Sequence, residues 1–421
     1  MKLVTYYLPP DARASRTDPR GLAGTSWAQF GDQVLLYADD TEGEDLATRA
    51  SPSALRLQEY SAPARKEHMH IVVQNGRLFQ QEHPDVPVIL DRGRILLVDL
   101  DPERVRQLED KSLTCYGVLP LAQHHVVFAV RDATAARSTR VDWIGQLVDQ
   151  VSRPAFEANL VHLASFPTRH STSVHYADAA SWARDQLQAL QYTTQSQSIT
   201  VNGRSSQNVI ADKQGNAAGA RDVVLITAHL DSINIQGGPM APAPGADDNG
   251  SGSAGLLEMA RVLATHHGEH DLRFVLFGGE EEGLFGSKRY IASLPASEKQ
   301  RIRAVVNMDM IGTMNTSLQS VMLEGAPVSE SIIDALASAA ATYTTLTVET
   351  SLNPFASDHV PFINAGIPAV LTIEGADSTN SNIHSMKDTL EHINYELALE
   401  VLRMNVAFLA SEIGQAPPAH V

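Results

Sequence analysis

DVVLITAHLDS, residues 222–232, is a nearly unbroken apolar run that closes on His229, Asp231 and Ser232. A strand exposed on one face alternates apolar and polar residues; one covered on both faces reads as a continuous run like this. LRFVLFGG (272–279), IRAVVNMDMIG (302–312) and IPAVLTIEG (367–375) repeat the pattern. Between and around them, VDWIGQLVDQV (141–151), SVHYADAASWARDQLQAL (173–190), SGSAGLLEMARVLATHH (251–267), SESIIDALASAAATY (329–343) and NYELALEVLRMNVAFLASEI (394–413) carry helical periodicity. Buried strands alternating with helices predict an α/β fold, a mostly parallel mixed sheet sandwiched by helices. In such folds the functional site lies beyond the carboxyl ends of the strands.

At 421 residues the chain exceeds what one core usually takes, so two domains are expected. The small polar stretch DATAARSTR (132–140) is the natural linker. It divides an N-terminal accessory unit, residues 1–135, from a larger unit, residues 141–421. The first reads as a smaller α/β or α+β domain: RILLVDL (94–100) as a strand, a helix opened by Asp101 and Pro102, then GVLPL and HHVVFAV as strands. A balance of 32 basic against 49 acidic residues, net −17, argues against nucleic acid or an anionic membrane as partner. The single Cys115 excludes an internal disulfide and a thiolate zinc site, and reads as a small buried hydrophobe. No run reaches the length of a membrane span. The opening MKLVTYYLPPDARAS is cut short by Pro9 and Pro10, so an intracellular protein, or one whose leader is absent from this sequence, is expected.

Polar residues gather where the buried strands end. His229 and Asp231 close the first; PGADDNGSG, with Asp247 and Asp248, opens the next helix; Asp309 follows the 302–308 run; NIHSMKDT presents His384 before the last helix. FGGEEEGLFGS (277–287) sets Glu280, Glu281 and Glu282 in an apolar frame, where three adjacent carboxylates need compensation. Each piece alone has an ordinary structural reading as a cap, a turn or a hydrogen-bonded strand end. Together, imidazoles and carboxylates on one sheet edge, without thiolates, suit zinc or a similar divalent ion. Two histidines and three or four carboxylates suffice for two metals sharing a bridge.

His229-x-Asp231, PGADDNGSG, GEEEGLFGS, NMDM and IHS, in this order over residues 155–415, resemble peptidase family M28, the zinc aminopeptidases. The resemblance implies two Zn2+, with Co2+ or Mn2+ able to substitute, and peptide substrates with a free N-terminus. It assigns His229 and Asp309 to one ion, Glu281 and His384 to the other, and Asp247 as the bridge. It also implies Glu280 as general base, Asp231 behind His229, and a cis peptide bond between Asp247 and Asp248. Met310 and Ile383 would line an apolar pocket for a leucine-like first residue. Asp358 and His359, in SDHVPF, would shape that pocket or orient His384 without binding metal. Glu282 is left as a bystander turned to a basic or solvent-facing side. Asn249 stands where many relatives have a third aspartate. A secreted or periplasmic location after processing is also implied.

The alternatives are a dizinc carboxypeptidase or dipeptidase, which needs a cation for the substrate carboxylate, and a glutaminyl-cyclase-like enzyme, which lacks the ligand matching His229. A non-catalytic binding domain on the same fold would have lost ligands that this chain keeps. The 1–135 unit is expected to act as a pro-region, a lid or an oligomerisation module.

Overall fold

The computed structural model describes residues 2–8, 26–38, 58–60, 65–109 and 116–415; Cys115 lies outside them. The N-terminal strands are β1 (Lys2–Tyr7), β2 (Ser26–Phe30), β3 (Gln33–Ala38), β4 (Gln58–Tyr60), β5 (Met69–Gln74), β6 (Val88–Arg92), β7 (Ile95–Asp99), β8 (Tyr116–Pro120) and β9 (His125–Val130). The later ones are β10 (Thr193–Val201), β11 (Arg204–Lys213), β12 (Val223–His229), β13 (Asp271–Phe277), β14 (Ile302–Met308), β15 (Ser320–Glu324), β16 (Thr347–Ser351) and β17 (Ala369–Glu374).

Among the described residues these form a 13-stranded sheet, in the order β10-β11-β13-β12-β14-β17-β15-β16-β9-β2-β3-β1-β4, and a four-stranded sheet, β6-β7-β5-β8. The centre, β13-β12-β14-β17, is parallel, and the flanks are mainly antiparallel. The mixed, helix-covered sheet expected from the apolar runs is therefore present, with a smaller separate sheet contributed by the N-terminal part.

The four apolar runs are central because both their faces are covered. Val224, Ile226 and Ala228 of β12 join one core, and Val223 and Leu225 join another on the opposite side. β13 divides likewise, with Leu272, Phe274 and Leu276 facing one way and Val275 and Phe277 the other. This is the two-residue alternation of a pleated strand. The first core is closed by α1 (Arg153–Ala164), α2 (Val174–Ala189), α3 (Gly252–Leu263), α4 (Glu330–Tyr343) and α5 (Tyr395–Ile413). Their starts follow capping chemistry: the side chain of Ser152 accepts from Ala155 N, Ser173 from Tyr176 N and Asn394 from Leu397 N.

Among the described residues, a strand pairing and an apolar core help join the N-terminal part to the rest. β9 pairs antiparallel with β16, which carries β2, β3, β1 and β4 onto the main sheet. A shared core packs Ile71, Val73, Ile95 and Leu97 against Met310, Met322, Leu371, Ile373 and Ile383. The 132–140 stretch holds a short helix, Ala133–Ala136. Among the described residues, no helix is long and apolar enough to cross a membrane.

Candidate metal centre

The carboxyl ends of the central strands converge. β12 ends at His229, β14 is followed by Asp309, and β13 leads through Gly278 and Gly279 into Glu280 and Glu281. Both glycines are required there. A Cβ at Gly278 would sit 2.2 Å from the Tyr176 hydroxyl, and Gly279 has φ +70° with Val201 at 2.7 Å from a built Cβ. His384 and Met310 occupy the left-handed region without being glycine, at φ +53° and +51°.

His229 Nε2 lies 3.1 Å from Asp309 Oδ1, and His384 Nε2 lies 3.0 Å from Glu281 Oε2. Between the two imidazoles stands one carboxylate: Asp248 Oδ1 is 3.3 Å from His229 Nε2 and Asp248 Oδ2 is 3.0 Å from His384 Nε2. Glu280 groups with His229 and Asp309, their ligand atoms within 4.8 Å of one another.

The carboxylate between the two imidazoles is therefore Asp248, one residue further along than Asp247, which the resemblance took as the bridge. Asp247 turns the other way: its Oδ1 accepts from Gly312 N at 2.9 Å and its Oδ2 from the Asn380 amide at 3.0 Å. The cis peptide bond is also displaced by one, to Asp248–Asn249. Asp388 fixes this turn, its two oxygens accepting from Asp247 N and Asp248 N at 2.9 Å each.

Asp231 is fully buried, with Oδ1 3.7 Å from His229 Nδ1, while its backbone carbonyl is nearer that nitrogen at 3.2 Å. Its carboxylate also accepts from Glu280 N at 3.4 Å and Glu281 N at 3.2 Å. It thus positions the glutamate loop as well as the imidazole. Glu282 points away, accepting from the Ser171 hydroxyl at 2.6 Å and facing His170 Nδ1 at 3.1 Å.

Three further supports hold this cluster, two of them, Arg169 and Ser357, not singled out from sequence. Arg169, buried, donates to the carbonyls of Leu230, Leu163, Pro244 and Gly245, fastening the loops that carry His229 and Asp248. The Ser357 hydroxyl donates to Asp309 Oδ2 at 2.7 Å. Asn249 donates to Met308 O and accepts from Gly252 N and Met310 N, so the asparagine ties the turn to the end of β14. Ser357 and Asp388 both sit inside motifs already singled out by sequence, SDHVPF and NIHSMKDT; Arg169 has no such signal.

A cavity of about 20 Å³ opens at the centre of the cluster. Met310 and Ile383 are in its wall with Ile373 and Ala356, and the N-terminal part adds Asn75 and Arg94. Asp358 and His359 are not in the wall. Both are fully buried where a short helix, His359–Asn364, turns them inward, and His359 Nε2 faces Glu324 Oε1 at 3.4 Å. Among the described residues, neither hydrogen-bonds His384.

Burial pushes the Glu280 and Glu281 carboxyls above their usual range, the neighbouring acids adding to it. Burial pulls the other way on His229 and His384, yet the facing carboxylates raise both imidazoles well above their ordinary value. Asp248 is held low against burial by the two imidazoles. Such a cluster exchanges its protons for divalent cations readily. The donor set fits that exchange: two imidazoles, four carboxylates, no thiolate, and a buried Glu281 Oε1 with no hydrogen-bond partner.

Residues 208–409 match the model of peptidase family M28. Aminopeptidase YwaD of Bacillus subtilis is 34% identical over 196 residues, covering 46% of this chain and 42% of that protein. Leupeptin-inactivating enzyme 1 of Streptomyces exfoliatus is 34% identical over 221 residues, covering 50% and 46%. The chain thus spans less than half the length of these two relatives. Leucine aminopeptidase 1 of Coccidioides posadasii is 29% identical over 284 residues, covering 63% and 72%. Among solved structures, BSAP, a zinc aminopeptidase from Bacillus subtilis, superposes with a TM-score of 0.56 at 19% identity, covering 64% of this chain and 97% of that one. The LapA aminopeptidase of Legionella pneumophila gives a TM-score of 0.58 at 19% identity, covering 83% and 99%. That share reaches into residues 1–135, so part of the N-terminal fold recurs there too. The ordered motifs and the strand-end cluster agree with these likenesses: residues 208–409, just under half of the chain, match peptidase family M28.

Proposed function

We propose that this protein is a metal-dependent aminopeptidase that removes N-terminal residues from peptides, using two Zn2+ or equivalent divalent ions. The observation that carries the reading is Asp248, whose two oxygens are divided between His229 and His384. One pair, His229 and Asp309, and a second, Glu281 and His384, would each hold an ion, with Asp248 common to both. Ions bound there supply Lewis-acid polarisation of the scissile carbonyl and a water acidic enough to attack at neutral pH.

The chain's own residues do the rest. Glu280, grouped with His229 and Asp309, accepts the proton of the attacking water and returns it to the leaving nitrogen. Asp231 holds the two glutamates in place through their backbone amides. With ions bound the charge of the cluster is offset, so the preference for the amino end rests on the likeness to aminopeptidases rather than on the carboxylates. Met310, Ile373 and Ile383 give the wall an apolar character that suits an aliphatic first residue such as leucine.

The test is turnover of leucine p-nitroanilide and its N-acetyl derivative by chelated and zinc-restored protein, with metal content measured. Zinc at two per chain should restore hydrolysis of the free amine only. Equal turnover of the acetylated substrate would overturn the aminopeptidase reading, and full activity at one ion per chain would overturn the two-ion reading.

A further inference from the structure

Beside the metal centre lies a second, larger cavity of about 480 Å³. It shares Asn75, Ile383 and His384 with the small one, so the two are contiguous. Its walls come from three stretches: Asn75–Leu78 with Gln81 in the N-terminal part, the loop around Asn234–Gly237, and residues 380–387. The N-terminal segment is packed close, since a Cβ on Gly76 would meet Ile383 Cδ1 at 3.3 Å.

The charge of this wall is unlike that of the chain. The protein carries a net −17, yet no carboxylate lines the cavity. Its charged side chains, apart from His384, are Arg77 and Lys387; the rest are amides, hydroxyls, glycines and aliphatics. Arg77 is paired with Asp91, which stands outside the wall. Lys387 is exposed and, among the described residues, forms no ion pair. One end of the combined cleft is therefore the cluster of candidate metal ligands and the other carries an available ammonium.

The geometry points to a cleft that selects short peptides by both ends, the N-terminal amine at the candidate metal cluster and the C-terminal carboxylate at Lys387. This rests on the aminopeptidase reading and narrows its substrate class to short peptides with a free carboxylate, since an exposed charge more than about 8 Å away is largely screened. It also gives the N-terminal part a role: the wall opposite the 380–387 loop is built from it.

The experiment compares Leu-Gly-Gly with Leu-Gly-Gly-amide on the full zinc-loaded chain, for wild type, Lys387→Ala, Lys387→Arg and Lys387→Glu. The wild type should prefer the acid about three- to five-fold in kcat/KM, mostly through KM, the size of an exposed charge pair. That ratio should fall toward one in Lys387→Ala and at high salt, persist in Lys387→Arg and invert in Lys387→Glu. A wild-type ratio of one, or a ratio unchanged in Lys387→Ala and Lys387→Glu, overturns the proposal. Hydrolysis of the amide in wild type reports on the aminopeptidase reading separately. Cleavage of N-acetyl-Leu-Gly-Gly would sink that reading while leaving the carboxylate preference measurable.

Discussion

Two adjacent aspartates, identical in chemistry, have different tasks. Asp248 faces both imidazoles, whereas Asp247 is saturated by Gly312 N and Asn380 and is pushed by burial up to about 6. Asp248→Asn should therefore lower zinc stoichiometry below two per chain, because a neutral amide cannot replace a carboxylate between two cations. Asp247→Asn should retain both ions with a stability loss of about 1–3 kcal/mol from disturbed buried hydrogen bonds. Metal analysis after dialysis, alongside thermal unfolding, separates the two, and equal metal loss in both variants would refute the assignment. This pair also marks the limit of the sequence. The DD motif announces a ligand, but which carboxylate turns inward depends on contacts distant in sequence, such as those of Asp388, 140 residues away. Glu280 and Glu281 were easier to place, because only Gly278 and Gly279 can make the turn that aims them.

Among the elements, β12, β13, β14 and β17 were legible because continuous apolar runs of this length have few other uses. The β10–β11 hairpin was not, since TTQSQSITV is mostly polar and one of its sides borders no further strand. The loops at the strand ends depend on Arg169, which no local pattern announces. Its guanidinium, lowered by burial to about 10 but still cationic at neutral pH, serves four carbonyls from three segments. Arg169→Met would leave the Leu230 and Pro244 carbonyls without donors, at about 1–3 kcal/mol for each, while Leu163 O and Gly245 O keep backbone donors from Phe166 and Gly250. We expect destabilisation of at least ~2 kcal/mol in urea unfolding and weaker zinc retention. A variant within 1 kcal/mol of wild type would show that the clamp is dispensable.

Across the whole molecule, a buried ionic junction joins the N-terminal part to the peptidase domain. Arg94 donates to Glu324 at 3.1 Å and to Asp377 at 3.1 Å, all three side chains being nearly inaccessible. Burial opposes ionisation of Glu324, but Arg94 and His359 hold its carboxyl down at about 2, from 4.5. Because the folded value is depressed, its contribution is present above pH 4.5 and is lost as pH falls toward 2. The shift is worth about 3 kcal/mol. Asp377 moves the other way, raised by burial despite Arg94, so the comparison must isolate Glu324. Urea unfolding between pH 3 and 6 should show a steeper acid loss in wild type than in Glu324→Gln; parallel curves would dismiss the junction as a source of acid sensitivity. None of this was visible in the sequence, where residues 94, 324 and 377 share no motif. The continuity of β9 with β16 was hidden for the same reason, being a pairing between strands more than 200 residues apart.

The cavity beside the candidate metal site has walls of separate origin. The donor atoms of that site all come from residues 229–384, while one side of the cavity comes from residues 75–81. Exchanges at Leu78 or Gln81 would reshape what is admitted without touching any donor atom. Groups that shape the cavity and groups that offer donor atoms thus lie on different parts of the chain, which the ion pairs of Arg94 hold together.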